Sequence, residues 1–327
     1  MTTRNADIST CADATTPWLS VVMPAYRGEE WIGQALASIA AEADDGLELL
    51  IVDGSPTPAT RQIACGFSSR VRLRVIPRED LASWQSKANL GVEMASSAHV
   101  CLLCVDDVWL PGRAATIHRW IDGAPHAVLH LAPSTVIDRL GRKLGTWRCP
   151  LPSATELSFE TLAERLLVQN FVASPAPVFR RDAWLDCGGL DETLWYTADW
   201  DIWLKLAAAG PALYHPENTC GFRIRRGSLT VMGAGDSAGL EQQMRSVLDR
   251  HLPRLPSPRA GVESAAQASI AMNVALASVS AGSVRGLPLA LRKLLRLGPA
   301  GTLRFFRDTR IVERVTPRVI ARLRGSF

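Results

Sequence analysis

The chain has 327 residues, 47% of them hydrophobic and 21% charged, which is the composition of a globular protein able to bury its own core. The net charge of +4 hides an asymmetry: Arg285 to Phe327 holds 11 Arg and Lys against 2 Asp and Glu, or +9, which leaves −5 for residues 1–284. That length suits two domains, or one large α/β domain with an appendage.

Residues 1–16 are polar, lack the apolar core of a signal peptide and read as a disordered N-terminus. Trp18 to Pro24 is a short apolar run ended by proline, the pattern of a buried parallel strand. Trp31, Ile32, Ala35, Leu36 and Ile39 then recur at helical spacing. Leu47 to Val52 predicts a second strand that runs into the turn Asp53-Gly54-Ser55, and Arg61 to Gly66 a short helix. Val71 to Ile76 alternates and predicts a third strand; Trp84 to Ala95 predicts a helix; His99 to Val105 is almost wholly apolar and predicts a central fourth strand. This βαβαβαβ order predicts a mostly parallel, Rossmann-like sheet flanked by helices, with ligands at the carboxyl ends of its strands.

Further along, Val128 to Val136 predicts a strand, Ser158 to Val168 a helix, Ala176 to Arg180 a short strand and Asp199 to Ala209 a helix. Beyond Leu229 the chain reads as helical, broken by prolines from Pro253 to Pro258. Residues 264–284 carry no charge but are mostly Ala and Ser, which suits a buried helix better than a membrane span. We therefore expect an α/β domain over residues 17–230 and a helical, basic extension over 231–327. Its basic tail, residues 285–327, is either a solvated helix face or a surface for anionic lipid. The cysteines are odd in number, and Cys101 and Cys104 sit in an apolar run where thiols act as small hydrophobes, so a reducing, cytoplasmic compartment is expected.

Asp106 and Asp107 follow the fourth strand directly. Two adjacent carboxylates there are either a helix cap or a site for a hard cation that bridges carboxylate and phosphate oxygens.

Six segments, in order, carry a resemblance. They are Val21-Val22-Met23-Pro24-Ala25-Tyr26-Arg27, Leu50-Ile51-Val52-Asp53-Gly54-Ser55, Asn89-Leu90-Gly91, Val105-Asp106-Asp107-Val108-Trp109-Leu110-Pro111-Gly112, Gly188-Gly189-Leu190-Asp191 after Phe179-Arg180-Arg181, and Asp199-Trp200-Asp201-Ile202-Trp203. Together they resemble the inverting family 2 glycosyltransferases of GT-A fold, over about residues 18–230. The resemblance implies a nucleotide-sugar donor such as a UDP-sugar, held by Pro24, Ala25, Tyr26, Asp53, Asn89, Asp107 and Arg225, with Asp106 on Mn²⁺ or Mg²⁺. It implies Asp199 as general base toward a glycan or lipid-linked acceptor, with Asp201 second, and a role in polysaccharide, cell-surface glycan or glycolipid synthesis; the leucines and arginines after Arg285 predict peripheral contact with the inner face of the plasma membrane. Arg225 belongs to a loop, Phe222 to Ser228, that resembles the family's diphosphate-closing segment. No nucleic-acid partner is expected. The chain departs from the family at Cys104, where the acidic motif begins with Asp, and at Ala198, where Glu is usual. These departures motivate a second reading, a non-catalytic nucleotide- or glycan-binding relative.

Overall fold

The computed structural model describes residues 16–326 apart from 154, 226–235, 258 and 281. The disordered reading of the N-terminus falls almost wholly outside those residues. The strands β1 (Leu19–Ala25) and β2 (Leu47–Asp53) are buried along their whole lengths, which is why they read as continuous apolar runs. Between them lies α1 (Ile32–Ala40), and α2 (Ala59–Cys65) leads to β3 (Arg72–Pro77). β3 is an edge strand, and its alternation of Arg72, Leu73, Arg74 and Val75 fits one wet face and an unpaired side. Then come α3 (Trp84–Met94), capped by Ser83 Oγ accepting from the Ser86 N–H, and β4 (His99–Leu102).

The remaining elements are β5 (Val108–Trp109), α4 (Arg113–Gly123), β6 (Leu129–Leu131), β7 (Ser134–Ile137), β8 (Lys143–Trp147), β9 (Glu156–Leu157), α5 (Phe159–Leu166), β10 (Val178–Arg180), α6 (Arg181–Asp186), α7 (Ala198–Ala209), β11 (Ala212–Tyr214) and β12 (Cys220–Arg223). The C-terminal part is helical: α8 (Ser237–His251), α9 (Ala260–Ser280), α10 (Leu287–Leu295), α11 (Gly298–Thr309) and α12 (Ile311–Leu323).

One sheet has the order β3-β2-β1-β4-β10-β6-β11-β9, with the first four strands parallel and β10 antiparallel beside β4. A second sheet, β5-β12-β7-β8, begins just past the carboxyl end of β4. The single strand expected over Val128 to Val136 is in fact two. β6 and β7 belong to different sheets, and the chain crosses between them at Ala132-Pro133. Pro133, which cannot donate to a strand ladder, marks the crossing between the two apolar ends of the segment.

Side chains of the central strands alternate between two cores. Val22, Leu50, Val100 and Leu102 pack with α3, α5 and α7; Val21, Met23, Leu49, Ile51 and Cys101 pack with α1 and α4. Gly91 lets α3 approach β1 closely, because a Cβ there would lie 2.3 Å from Val22 Cγ1. The uncharged stretch forms most of α9, whose Ala265, Ala266, Ala268 and Ala275 are buried against neighbouring helices. No helix among the described residues is long and apolar enough to cross a membrane.

Candidate active site

The parallel order of β3-β2-β1-β4 brings the ends of three strands together. Asp53 closes β2 and is fully buried. Its Oδ1 accepts from the Ser55 N–H at 3.0 Å and the Ser55 hydroxyl at 2.6 Å. Its Oδ2 lies 3.5 Å from Arg61 Nε but has no hydrogen-bond partner. A buried carboxylate oxygen left open this way is a ready acceptor for a ligand N–H. Pro24 and Ala25 are buried at the end of β1, and Tyr26 follows with 54% of its surface exposed. Arg27 and Lys87 stand 5.3 and 5.7 Å from the Tyr26 ring centre.

The acid pair occupies the loop between β4 and β5. Asp107 is buried and accepts from the Arg223 N–H at 2.8 Å, while Asp106 is partly open and accepts from Arg225 Nε at 2.7 Å. Burial, then the charge of Asp106, push the Asp107 carboxyl well above the usual range. The Cys104 thiol is raised by burial and by the charges of Asp107, Asp106 and Asp199. Candidate ligand atoms of Cys104, Asp106 and Asp107 all lie within 4.8 Å of one another. The charge of Asp106 disfavours ionisation of its neighbour Asp107, a repulsion that a divalent cation would relieve, and the two carboxylates are suitable oxygen donors. The residues therefore fit a divalent cation, and Asp106 is the accessible carboxylate among them.

Arg223, two residues before Arg225, organises this loop. It stacks 4.9 Å from the Trp31 ring centre and donates to the Asp106 carbonyl at 2.6 Å, the Asp138 carbonyl at 2.9 Å and Gln34 Oε1 at 3.0 Å. The rest of the expected closing loop, Arg226-Gly227-Ser228, lies outside the described residues.

Asp199 sits in the first turn of α7. Its Oδ1 accepts from the Trp200 N–H at 2.7 Å and its Oδ2 from the Ser174 hydroxyl at 3.1 Å. Burial outweighs these bonds and pushes its pKa up to about 6. Asp201, the second candidate base, points elsewhere. Burial works to raise it, but His251, Lys205 and Arg250, each 2.8 Å away, bring it down to about 2. Its Oδ1 ties α7 to α8 through Arg250 and His251, while its Oδ2 faces Lys205 of α7 itself.

Asn89 is bonded to the turn ahead of α7. Its amide N–H donates to the Leu190 carbonyl at 2.9 Å, and its oxygen accepts from the Leu190 N–H at 2.8 Å. It braces α3 against the turn ahead of α7. Gly189 in that turn has φ +63°, and a Cβ there would meet Asn89 Oδ1 at 2.5 Å. The Asn-x-Gly element thus acts as a brace (Asn89) and a close helix contact (Gly91).

In front of Asp199 lies a cavity of about 110 Å³ lined in part by Trp147, Tyr196 and Phe222. Arg314 and Arg318 of α12 line the same cavity. The arrival of the basic tail at the site is invisible in the sequence, because nothing local to that helix records what it packs against.

The profile of Glycosyl transferase family 2 matches residues 20–183, half of the chain. An uncharacterized glycosyltransferase of Rickettsia prowazekii is 21% identical over 224 residues, a stretch spanning 66% of each chain, just under two thirds of that relative's length. A UDP-Glc:alpha-D-GlcNAc-diphosphoundecaprenol beta-1,3-glucosyltransferase of Escherichia coli is 25% identical over 95 residues, 29% of this chain and 37% of its own. Among solved structures, S. aureus TarS 1-349 in complex with UDP-GlcNAc superposes with a TM-score of 0.57 at 17% identity, over 95% of this chain and 93% of that one. A mannosyltransferase of Pyrobaculum calidifontis in complex with GDP-Man and Mn²⁺ superposes at 0.56 and 16% identity, over 93% and 87%. The fold is that of the GT-A transferases, and the chain belongs to glycosyl transferase family 2.

Proposed function

We propose that the chain moves a sugar from a nucleoside-diphosphate donor to an acceptor hydroxyl by single displacement, with inversion at the anomeric carbon. The observation that carries this is the setting of Asp199. It is the carboxylate lining the cavity, with a pKa near 6, and its charge is felt at Cys104 beside the acid pair. A carboxylate tuned toward neutrality suits general-base work at physiological pH.

In this reading the open oxygen of Asp53 accepts a ring N–H of the donor base. Tyr26 covers the base, with Pro24 and Ala25 forming the wall behind. Asp106 holds Mn²⁺ or Mg²⁺, and Asp107, anchored on Arg223, keeps the loop in shape. The cation, when bound, supplies charge stabilisation to the diphosphate leaving group. Arg225 donates to diphosphate oxygens. Asp199 takes the acceptor proton as the acceptor oxygen bonds to the anomeric carbon. The bond from that carbon to the diphosphate breaks, and its electron pair leaves with the nucleotide. Ser174 and the Trp200 N–H orient the carboxylate.

A lipid-linked acceptor is supported by the C-terminal helices. They carry most of the tail's +9 charge, while Leu295, Leu303 and Leu323 are exposed at 80%, 73% and 83%. Other apolar residues of the same helices, Ala290 and Phe305, are buried against α9. Exposed leucines amid arginines suit an anionic membrane surface. The E. coli relative's diphosphoundecaprenol substrate points to the same kind of acceptor.

Two experiments test this reading. Calorimetry with UDP, GDP and their sugars, with and without Mn²⁺, should find one nucleotide that binds better with the ion; if none binds, the donor site is misassigned. Anionic vesicles should sediment the full chain and release the Leu295→Asp/Leu303→Asp variant. Equal retention of both would remove the membrane role.

A further inference from the structure

Arg314 and Arg318 are one turn apart on α12 and face the cavity that holds Asp199. Their helix is fixed in place from its other contacts. Ala321 and Ile320 pack with Val136, Leu144 and Ile224, and Pro317 abuts Gly145 of β8. Among the described residues, neither guanidinium has a carboxylate at salt-bridge distance, although most arginines around them do. Arg314 donates to Asn273 Oδ1 at 2.7 Å, and its Nε is buried with no partner. Arg318 donates at 2.6 Å to the Arg314 carbonyl of its own helix. Burial and the charge of Arg318 lower Arg314 to about 10, so it remains cationic at neutral pH. Two cations forced together in a cavity, with donors unspent, are costly unless an anion completes the arrangement.

The size of the cavity narrows the choice of anion. About 110 Å³ is the room of roughly four waters, enough for a phosphoryl group. The donor's base and diphosphate belong to Asp53, Tyr26, Asp106 and Arg225, none of which lines this cavity. We propose that Arg314 and Arg318 form an acceptor subsite that binds a phosphoryl group carried by the acceptor and so presents its nearby hydroxyl to Asp199. This rests on the glycosyltransferase reading above and adds the acceptor's chemical class. Arginine forks suit phosphate oxygens. The phosphoryl group comes either from a lipid-linked diphosphate or from a water-soluble phosphorylated glycan.

The test uses the full chain saturated with whichever nucleoside diphosphate it binds. Three probes are titrated by calorimetry: inorganic pyrophosphate, a short-chain isoprenyl diphosphate and the matching neutral isoprenol. Both phosphorylated probes should bind, and the isoprenol should not. In Arg314→Met/Arg318→Met their affinity should fall at least roughly tenfold, while nucleotide affinity is unchanged. Arg318→Met alone, which removes no bond to another element, should show part of the loss, and Arg318→Lys should recover some of it. Tighter binding of the isoprenyl diphosphate than of pyrophosphate marks the lipid source; equal binding marks the soluble one. The inference is overturned if the variants bind the phosphorylated probes like wild type, or if they lose nucleotide affinity equally. Failure of wild type to bind any nucleotide would instead overturn the donor-site reading, so the two failures are distinguishable.

Discussion

Arg225 Nε lies 2.7 Å from Asp106 Oδ2, so the carboxylate assigned to the cation is already shared with the guanidinium assigned to the diphosphate. In Arg225→Met that positive charge is gone. Mn²⁺ should bind the nucleotide-free chain several-fold more tightly, and the nucleoside diphosphate should bind roughly tenfold more weakly. Calorimetry of each ligand checks this; parallel losses for both would mean that the loop itself had collapsed.

Cys104 sits within 4.8 Å of both acidic side chains and offers a thiol that burial keeps protonated. Cys104→Asp replaces it with an oxygen donor. Mg²⁺, the harder ion, should gain more affinity than Mn²⁺. Unchanged binding of both ions would place the cation away from this residue.

The pKa of Asp199, about 6, sets the pH profile. The base acts only when ionised, so transfer should rise with pH through about 6 and level off above it. Rates measured from pH 5 to 8 at saturating donor would show this. A single inflection near 4 would mean that an ordinary exposed carboxylate does the work.

The same shift has a stability consequence. A carboxyl raised above its unfolded value binds its proton more tightly in the folded chain, so stability rises as pH falls from about 6 toward 4. At pH 8 the buried charge is a cost. Asp199→Asn should therefore unfold later in urea at pH 8, by on the order of 2 kcal/mol, and lose that advantage at pH 4. Asp201 has the opposite sign. Held at about 2, it stabilises the fold above about pH 4, and that contribution is lost as pH falls toward 2. Asp201→Asn leaves Lys205 without its counter-ion and weakens the hydrogen bond from His251, while Arg250 keeps Asp191, and should cost about 3 kcal/mol at pH 7, with nucleotide binding retained in the folded fraction.

The parallel half of the sheet was legible because full burial writes an apolar run and strand ends expose their acids. Asp53 and Asp106 could be placed at those ends from order alone, although β4 stops at Leu102 and Asp106 lies in the loop beyond it. The second sheet was not legible, because β5, β7 and β12 have two to four residues each, too few to show a period. Asp199 and Asp201 stand two residues apart and look alike in sequence. Only the packing of α8 against α7 separates a tuned carboxylate from one already neutralised. The resemblance implies Asn89 as a donor contact; that it bonds Leu190, 101 residues away, is visible only in the fold. The approach of α12 to the site is likewise a tertiary fact, since residue 314 and residue 199 meet only through the fold.

The central claim is that Asp199 takes the acceptor proton in a glycosyl transfer. It is tested most directly by comparing wild type with Asp199→Asn on a panel of nucleotide sugars with Mn²⁺, measuring nucleotide affinity and nucleoside-diphosphate release together. The variant should bind the nucleotide as wild type does and release it at least about a hundredfold more slowly. Equal release by the two proteins, at equal affinity, would contradict the account.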